Sequence, residues 1–102
     1  MSLQIDSTED NGAYIFTLSG DLDAGSVPAL RQSLETSMRD RTASIILDFN
    51  AVEFLDSTGI GAVIQAHKQI SKMGGTFKLM HMKGQPLQTF TFLKLNHLID
   101  ST

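Results

Sequence analysis

The sequence contains no cysteine. Disulfides, thiolate nucleophiles and thiolate metal sites are therefore excluded, which fits a reducing compartment. No basic run is present either. The 8 lysines and arginines are scattered among 11 acids, and the net charge of -3 gives no footprint for a nucleic-acid partner. No apolar stretch approaches the roughly 20 residues that cross a bilayer, so no membrane partner is expected. The opening MSLQIDSTEDNG lacks the basic and apolar segments of a secretory signal, which makes a cytoplasmic protein the expectation. Repeats, linkers and low-complexity segments are missing as well. His67, His81 and His97 show no metal-ligand spacing such as H-x-x-x-H. No cofactor motif appears, and no nucleophile has a recognisable base beside it. Asp48 and Glu53 read as ordinary loop acids.

What is present is an ordinary apolar fraction of 41% in 102 residues. That predicts one domain over 1–102, burying about two-thirds of the surface of its unfolded chain. Two periodicities alternate along it. Leu3–Ser7 alternates apolar and polar residues, and Ala13–Leu18 is β-branched and aromatic, so two strands flank the Asn11-Gly12 turn signal as a hairpin. In SVPALRQSLETSMRDR, residues Val27, Leu30, Leu34 and Met38 form a helical stripe. Ser26 is its candidate N-cap, Pro28 sits in its first turn, and Arg39 and Arg41 suit its C-terminal end. Ala43–Phe49 is short and nearly continuously apolar, the pattern of a strand covered on both faces. A second helix is predicted from Thr58 to about Met73, lined by Ile60, Val63, Ile64, His67, Ile70 and Met73, and stopped by Gly74-Gly75. Thr76–Met82 reads as a strand on which Met80 and Met82 share a face. Gly84-Gln85-Pro86 opens a last helix carrying Leu87, Phe90 and Leu93 or Lys94, with a tail at Leu95, Leu98 and Ile99. The order β-β-α-β-α-β-α implies a mostly parallel sheet of four to five strands with βαβ crossovers, three to four helices, and one antiparallel partner from the hairpin.

Chemistry in such folds gathers where strands end and helices begin. Here that place is Phe54–Gly61, F-L-D-S-T-G-I-G. Ser57, after Asp56, is placed to cap the second helix. Gly59 and Gly61 each cost its first turn about 1 kcal/mol relative to alanine, so a close approach by another backbone or a partner should compensate. Two readings stand side by side. Asp-Ser-Thr before a helix is ordinary capping chemistry, and glycines allow tight helix–sheet packing. Alternatively, a helix start favours an anion, and a phosphate on Ser57 would be tolerated there. A phosphate-cradling loop is not indicated, because G-x-x-x-x-G-K-[ST] is absent.

The stretch resembles the signature of the STAS domain, the anti-sigma factor antagonist family. The likeness covers nearly the whole chain. Ser19-Gly20-Asp21-Leu22-Asp23 resembles the family's G-x-[LI]-D, Leu30-Arg31 and Leu34 its L-R-x-x-L, and Ile46–Phe49 with Val52 and Phe54 its strand and loop before the signature. Gly74-Gly75 and Leu79 match its G-G-x-[LF]-x-L. At the last helix the family's T-G-L is replaced by Phe92-Leu93-Lys94-Leu95. The resemblance implies a non-enzymatic partner-switching phosphoprotein. Its partners would be a serine-kinase anti-sigma factor and a phosphoserine phosphatase, with Ser57 as the phosphoacceptor. Asp21, Asp23, Asp56, Ser57, Thr58, Gly59, Ile60 and Gly61 would form the partner surface, and no cofactor is implied. Asp21 and Asp23 read equally as turn formers. A scaffold subunit of a lipid-transport or stressosome-like complex is the alternative, and Ser57 with Thr58 favours the switch. A small enzyme is a third class, weakened by the missing base and cofactor motif.

Overall fold

Asn11 and Gly12 take positive φ of 52° and 84°, as a two-residue hairpin turn requires. The turn folds β1 (Gln4–Asp10) antiparallel onto β2 (Ala13–Leu22), from Gln4 opposite Ser19 to Asp10 opposite Ala13. The computed structural model describes residues 3–39 and 44–99. From β2 the chain passes through α1 (Val27–Met38) to β3 (Ser44–Leu55), then through α2 (Ser57–Lys72) to β4 (Thr76–Met80). It ends with α3 (Gly84–Phe92) and a 3-10 turn at Asn96–Leu98. The sheet order is β1-β2-β3-β4, with β2, β3 and β4 parallel. A single parallel bridge adds Ile99 to Leu79. The expected order, hairpin and mixed sheet are all present.

The two crossovers step along the sheet in one direction, which for the usual right-handed connection puts α1 and α2 on one face, and the two helices are in contact. Burial follows. Phe16, Leu18 and Leu22 of β2, Ile45, Leu47 and Phe49 of β3, and Phe77 and Leu79 of β4 are buried. The residues between them point away: Thr17 and Lys78 are exposed, and Ile46 is only half-buried. The expectation that β3 is covered on both faces is therefore corrected. The apolar run continues through Ile46, which stays half-buried between the fully buried Ile45 and Leu47.

β3 is also longer than the apolar run that announced it. It continues past Phe49 to Leu55, still paired with β2, through register shifts at Thr17/Ser19 and Gly20/Asp21. Each shift gives β3 one extra residue. The first lets Val52 return to the buried face after the polar Asn50, and the second does the same for Leu55. β4 stops at Met80; His81 adopts φ 60° outside it, so Met82 lies beyond the strand.

In α1 the expected Val27, Leu30 and Leu34 are buried, and Met38 packs at the edge of the core. Arg39 stands at the helix C-cap, while Arg41 and Ala43 lie outside the described residues. In α2 the buried stripe is Gly59, Ala62, Val63, Ala66 and Ile70. The expected stripe was rotated toward Ile64, His67 and Met73, because small residues carry little weight in an apolar pattern. Ala62 and Ala66 are small where α2 lies beside Leu30 and Leu34 of α1. Gly74 closes the helix at φ 81°, and the Gly75 N–H reaches back to the Ile70 carbonyl at 2.9 Å. In α3, Phe90 is fully buried and Phe92 is 85% exposed; the expected Leu93 falls at the helix C-cap and is 46% exposed. Leu98 completes the core, with Leu95 and Ile99 packed against it.

Candidate functional site

β2 and β3 end side by side, with Asp21 opposite Phe54 and Leu22 opposite Leu55. The Asp56 N–H then donates to the Leu22 carbonyl at 3.2 Å, extending the ladder by one bond. Both α1 and α2 start from this edge, so the expected site residues meet in space.

Asp56 holds the two starts together. It is the N-cap of α2, extended at φ -100° and ψ -178°. Its Oδ1 accepts from the Gly59 N–H at 2.8 Å, and its Oδ2 accepts from the Ala24 N–H at 3.3 Å. The carboxylate thus satisfies an orphan donor of α2 and ties down the loop before α1. This corrects the assignment of Ser57 as the cap. Because β3 runs on to Leu55, the cap falls one residue earlier, on an aspartate of equal capping ability. Ser57 becomes the first helical residue. It is exposed, as is Thr58, and neither side chain makes a hydrogen bond among the described residues.

The loop from β2 to α1 is fixed by its own side chains. Asp23 Oδ1 accepts from the Gly25 and Ser26 N–H groups at 3.0 and 3.1 Å. Ser26 is buried; its hydroxyl donates to the Asp21 carbonyl at 2.8 Å and accepts from the Asp23 N–H at 3.0 Å. Ser26 stands at the expected N-cap position, but its side chain makes no capping bond to α1; it braces the loop instead. Asp21 and Asp23 are half-buried beside Asp56 and Ser57.

The two glycines differ. A Cβ on Gly59 would lie 2.4 Å from the Leu22 carbonyl oxygen and 2.8 Å from Leu55 Cδ1. Gly59 is therefore where the first turn of α2 rests on the end of β2. A Cβ on Gly61 would meet nothing within 4 Å. Gly61 is exposed one helical turn after Ser57, so no close approach among the described residues compensates its cost to the helix. Ile60, half-buried, packs against the core. Phe54, 45% exposed, adds apolar surface at the same edge.

One residue of this edge is invisible in the sequence pattern. The Gln85 side-chain amide, at the start of α3, accepts from the Leu55 N–H and donates to the Leu55 carbonyl, both at 2.9 Å. A glutamine before a helical proline carries no local signal of a contact 30 residues away. The histidines are scattered: His67 stacks edge-on against Phe77 at 6.1 Å, and His81 Nδ1 lies 2.9 Å from Asp48 Oδ1. Asp48, read from sequence as a loop acid, lies within β3. Among the described residues no group of three or more His, Asp or Glu is placed to hold a metal ion. No helix among them is long and apolar enough to cross a membrane.

The fold and this edge define a small α/β domain with an exposed serine at a helix start. The chain belongs to the STAS domain family, whose model matches residues 4–102. It is 26% identical over 100 residues to the anti-sigma-B factor antagonist of Bacillus subtilis, covering 98% of this chain and 91% of that one. In fold it resembles an anti-sigma factor antagonist from Mycobacterium paratuberculosis, with a TM-score of 0.83 and 22% identity over 95% of this chain and 82% of the other. It also resembles the Bacillus cell fate determinant SpoIIAA in its phosphorylated form, with a TM-score of 0.75 and 22% identity over 96% and 88% of the two chains.

Proposed function

We propose that this chain is an anti-sigma factor antagonist of the partner-switching kind, a cytoplasmic binding protein rather than an enzyme. Unphosphorylated, it binds a kinase-type anti-sigma factor through the edge formed by Asp21, Asp23 and Asp56–Gly61, and the anti-sigma factor releases its target. Transfer of the γ-phosphoryl group of ATP to the Ser57 hydroxyl ends the binding. A phosphoserine phosphatase restores it.

The observation that carries this reading is the chemical availability of Ser57. Asp56 performs the capping, so the Ser57 hydroxyl is exposed and unengaged at the first position of a 16-residue helix. A phosphate there adds about -1.5 to -2 charge, which the helix N-terminus favours, so the fold survives modification. A partner packed on the same edge meets new bulk and repulsion beside Asp21, Asp23 and Asp56. The family membership and the names of the relatives support the same direction.

The test is ATP-dependent phosphorylation by the anti-sigma kinase of the source organism, with sites mapped by mass spectrometry. One modification is expected, at Ser57, and none in Ser57→Ala. Modification confined to Thr58, persisting in Ser57→Ala, contradicts the assignment.

A further inference from the structure

β3 loses its β4 neighbour after Asp48 pairs with Met80. From there to Leu55, its backbone groups on that side need other partners. Alternate residues of a strand direct both N–H and C=O to the same side. The Asp56 N–H goes to β2, so the groups of Leu55 face the vacated side. Leu55 is 1% exposed, and groups buried without partners are strongly disfavoured. The Gln85 amide supplies one donor and one acceptor in the spacing a neighbouring strand would offer, and takes both.

Leu55 is followed directly by Asp56, whose carboxylate holds Gly59 and Ala24. A continuous set of short contacts therefore runs from the start of α3, through Leu55 and Asp56, to the first turn of α2 that carries Ser57. Gly59, pressed against the Leu22 carbonyl, closes the same turn from the β2 side. The geometry points to Gln85 as a positioning residue for the switch: it fixes where Ser57 is presented to the kinase and touches neither the phosphate nor the partner itself. This rests on Ser57 being the phosphoacceptor. Its structural half, that Gln85 orders the Asp56–Ile60 turn, does not depend on any partner. The start of α3 thereby becomes a lever, because a displacement that withdraws Gln85 loosens the turn from the far side of the sheet edge.

The test compares wild type with Gln85→Ala and Gln85→Glu. The glutamate variant keeps the side-chain volume and the acceptor but loses the donor facing the Leu55 carbonyl. Ile45→Val, a core change at the opposite end of β3, controls for stability loss alone. Backbone relaxation dispersion by NMR should show microsecond-to-millisecond exchange in Asp56–Ile60 for both Gln85 variants and not for the control. Phosphorylation of Ser57 by the source organism's anti-sigma kinase should fall in kcat/KM by roughly ten- to a hundredfold in both, as a misplaced acceptor predicts. Gln85 variants that match the control in both measurements overturn the proposal, as does a quiet turn with normal phosphorylation in Gln85→Glu. If the kinase leaves wild type unmodified, the proposed function fails, and the dispersion experiment alone decides whether Gln85 orders the turn.

Discussion

The same substitution at two neighbouring glycines should move stability in opposite directions. In Gly59→Ala the new methyl would sit 2.4 Å from the Leu22 carbonyl oxygen and 3.0 Å from Leu22 Cγ. The carbonyl is backbone, held in the β2–β3 ladder and bonded to the Asp56 N–H, so it cannot swing aside as a side chain would. Relief requires α2 to lift from β2, which strains the Asp56 cap. Overpacking of this kind costs about 1–3 kcal/mol or more, against a helix-propensity gain of about 1 kcal/mol. The upper part of that range should win, because the obstacle is backbone, leaving a net loss of about 1–2 kcal/mol. In Gly61→Ala only the gain remains, about 0.5–1 kcal/mol. At roughly 4 °C per kcal/mol for a domain of this size, the melting temperature should fall by about 4–8 °C in the first variant and rise by about 2–4 °C in the second. Scanning calorimetry with urea titration as a check on two-state behaviour measures both. A shift of the same sign in the two variants would refute the contact between α2 and Leu22. The stabilised Gly61→Ala should also bind the anti-sigma kinase more weakly than wild type, since its methyl stands on the proposed partner surface.

Asp56→Ala removes an N-cap and the tie to Ala24, which should cost about 1–3 kcal/mol by urea unfolding. Asp56→Asn, which keeps a capping oxygen, should lose less than half as much. Ser26→Ala removes the bonds that its buried hydroxyl makes to the Asp21 carbonyl and the Asp23 N–H, and should cost about 1–3 kcal/mol. Ser57→Ala removes no hydrogen bond found among the described residues and should unfold within about 0.5 kcal/mol of wild type; a loss above 1 kcal/mol would return the cap to Ser57.

Much of this was legible in the sequence, because periodicity and turn chemistry act locally. Asn11-Gly12 marked the hairpin, Gly74-Gly75 the end of α2, and the alternation of strands and helices the mostly parallel sheet. The eight residues of the candidate site do gather at one edge. What escaped depended on partners distant in sequence. The strand read over Ala43–Phe49 stopped short because a bulge suspends alternation, and only pairing with β2 carries it on to Leu55. That extension moved the cap from Ser57 to Asp56, two residues that local chemistry cannot rank. Gly59 and Gly61 look alike in the sequence, and only the Leu22 carbonyl separates them. Gln85 depends on a contact across 30 residues, and Ala62 and Ala66 are buried by their place beside α1 rather than by apolar character.

Charge at Ser57 is the central claim, and titration calorimetry of Ser57→Ala and Ser57→Asp against the anti-sigma kinase tests it most directly, with thermal melts confirming that both variants fold. Alanine leaves the surface nearly unchanged and should bind like wild type. Aspartate adds a charge beside Asp56, and an unpaired or like charge in an interface costs several kcal/mol, so affinity should fall by about a hundredfold or more. Equal affinities for two folded variants would contradict the switch.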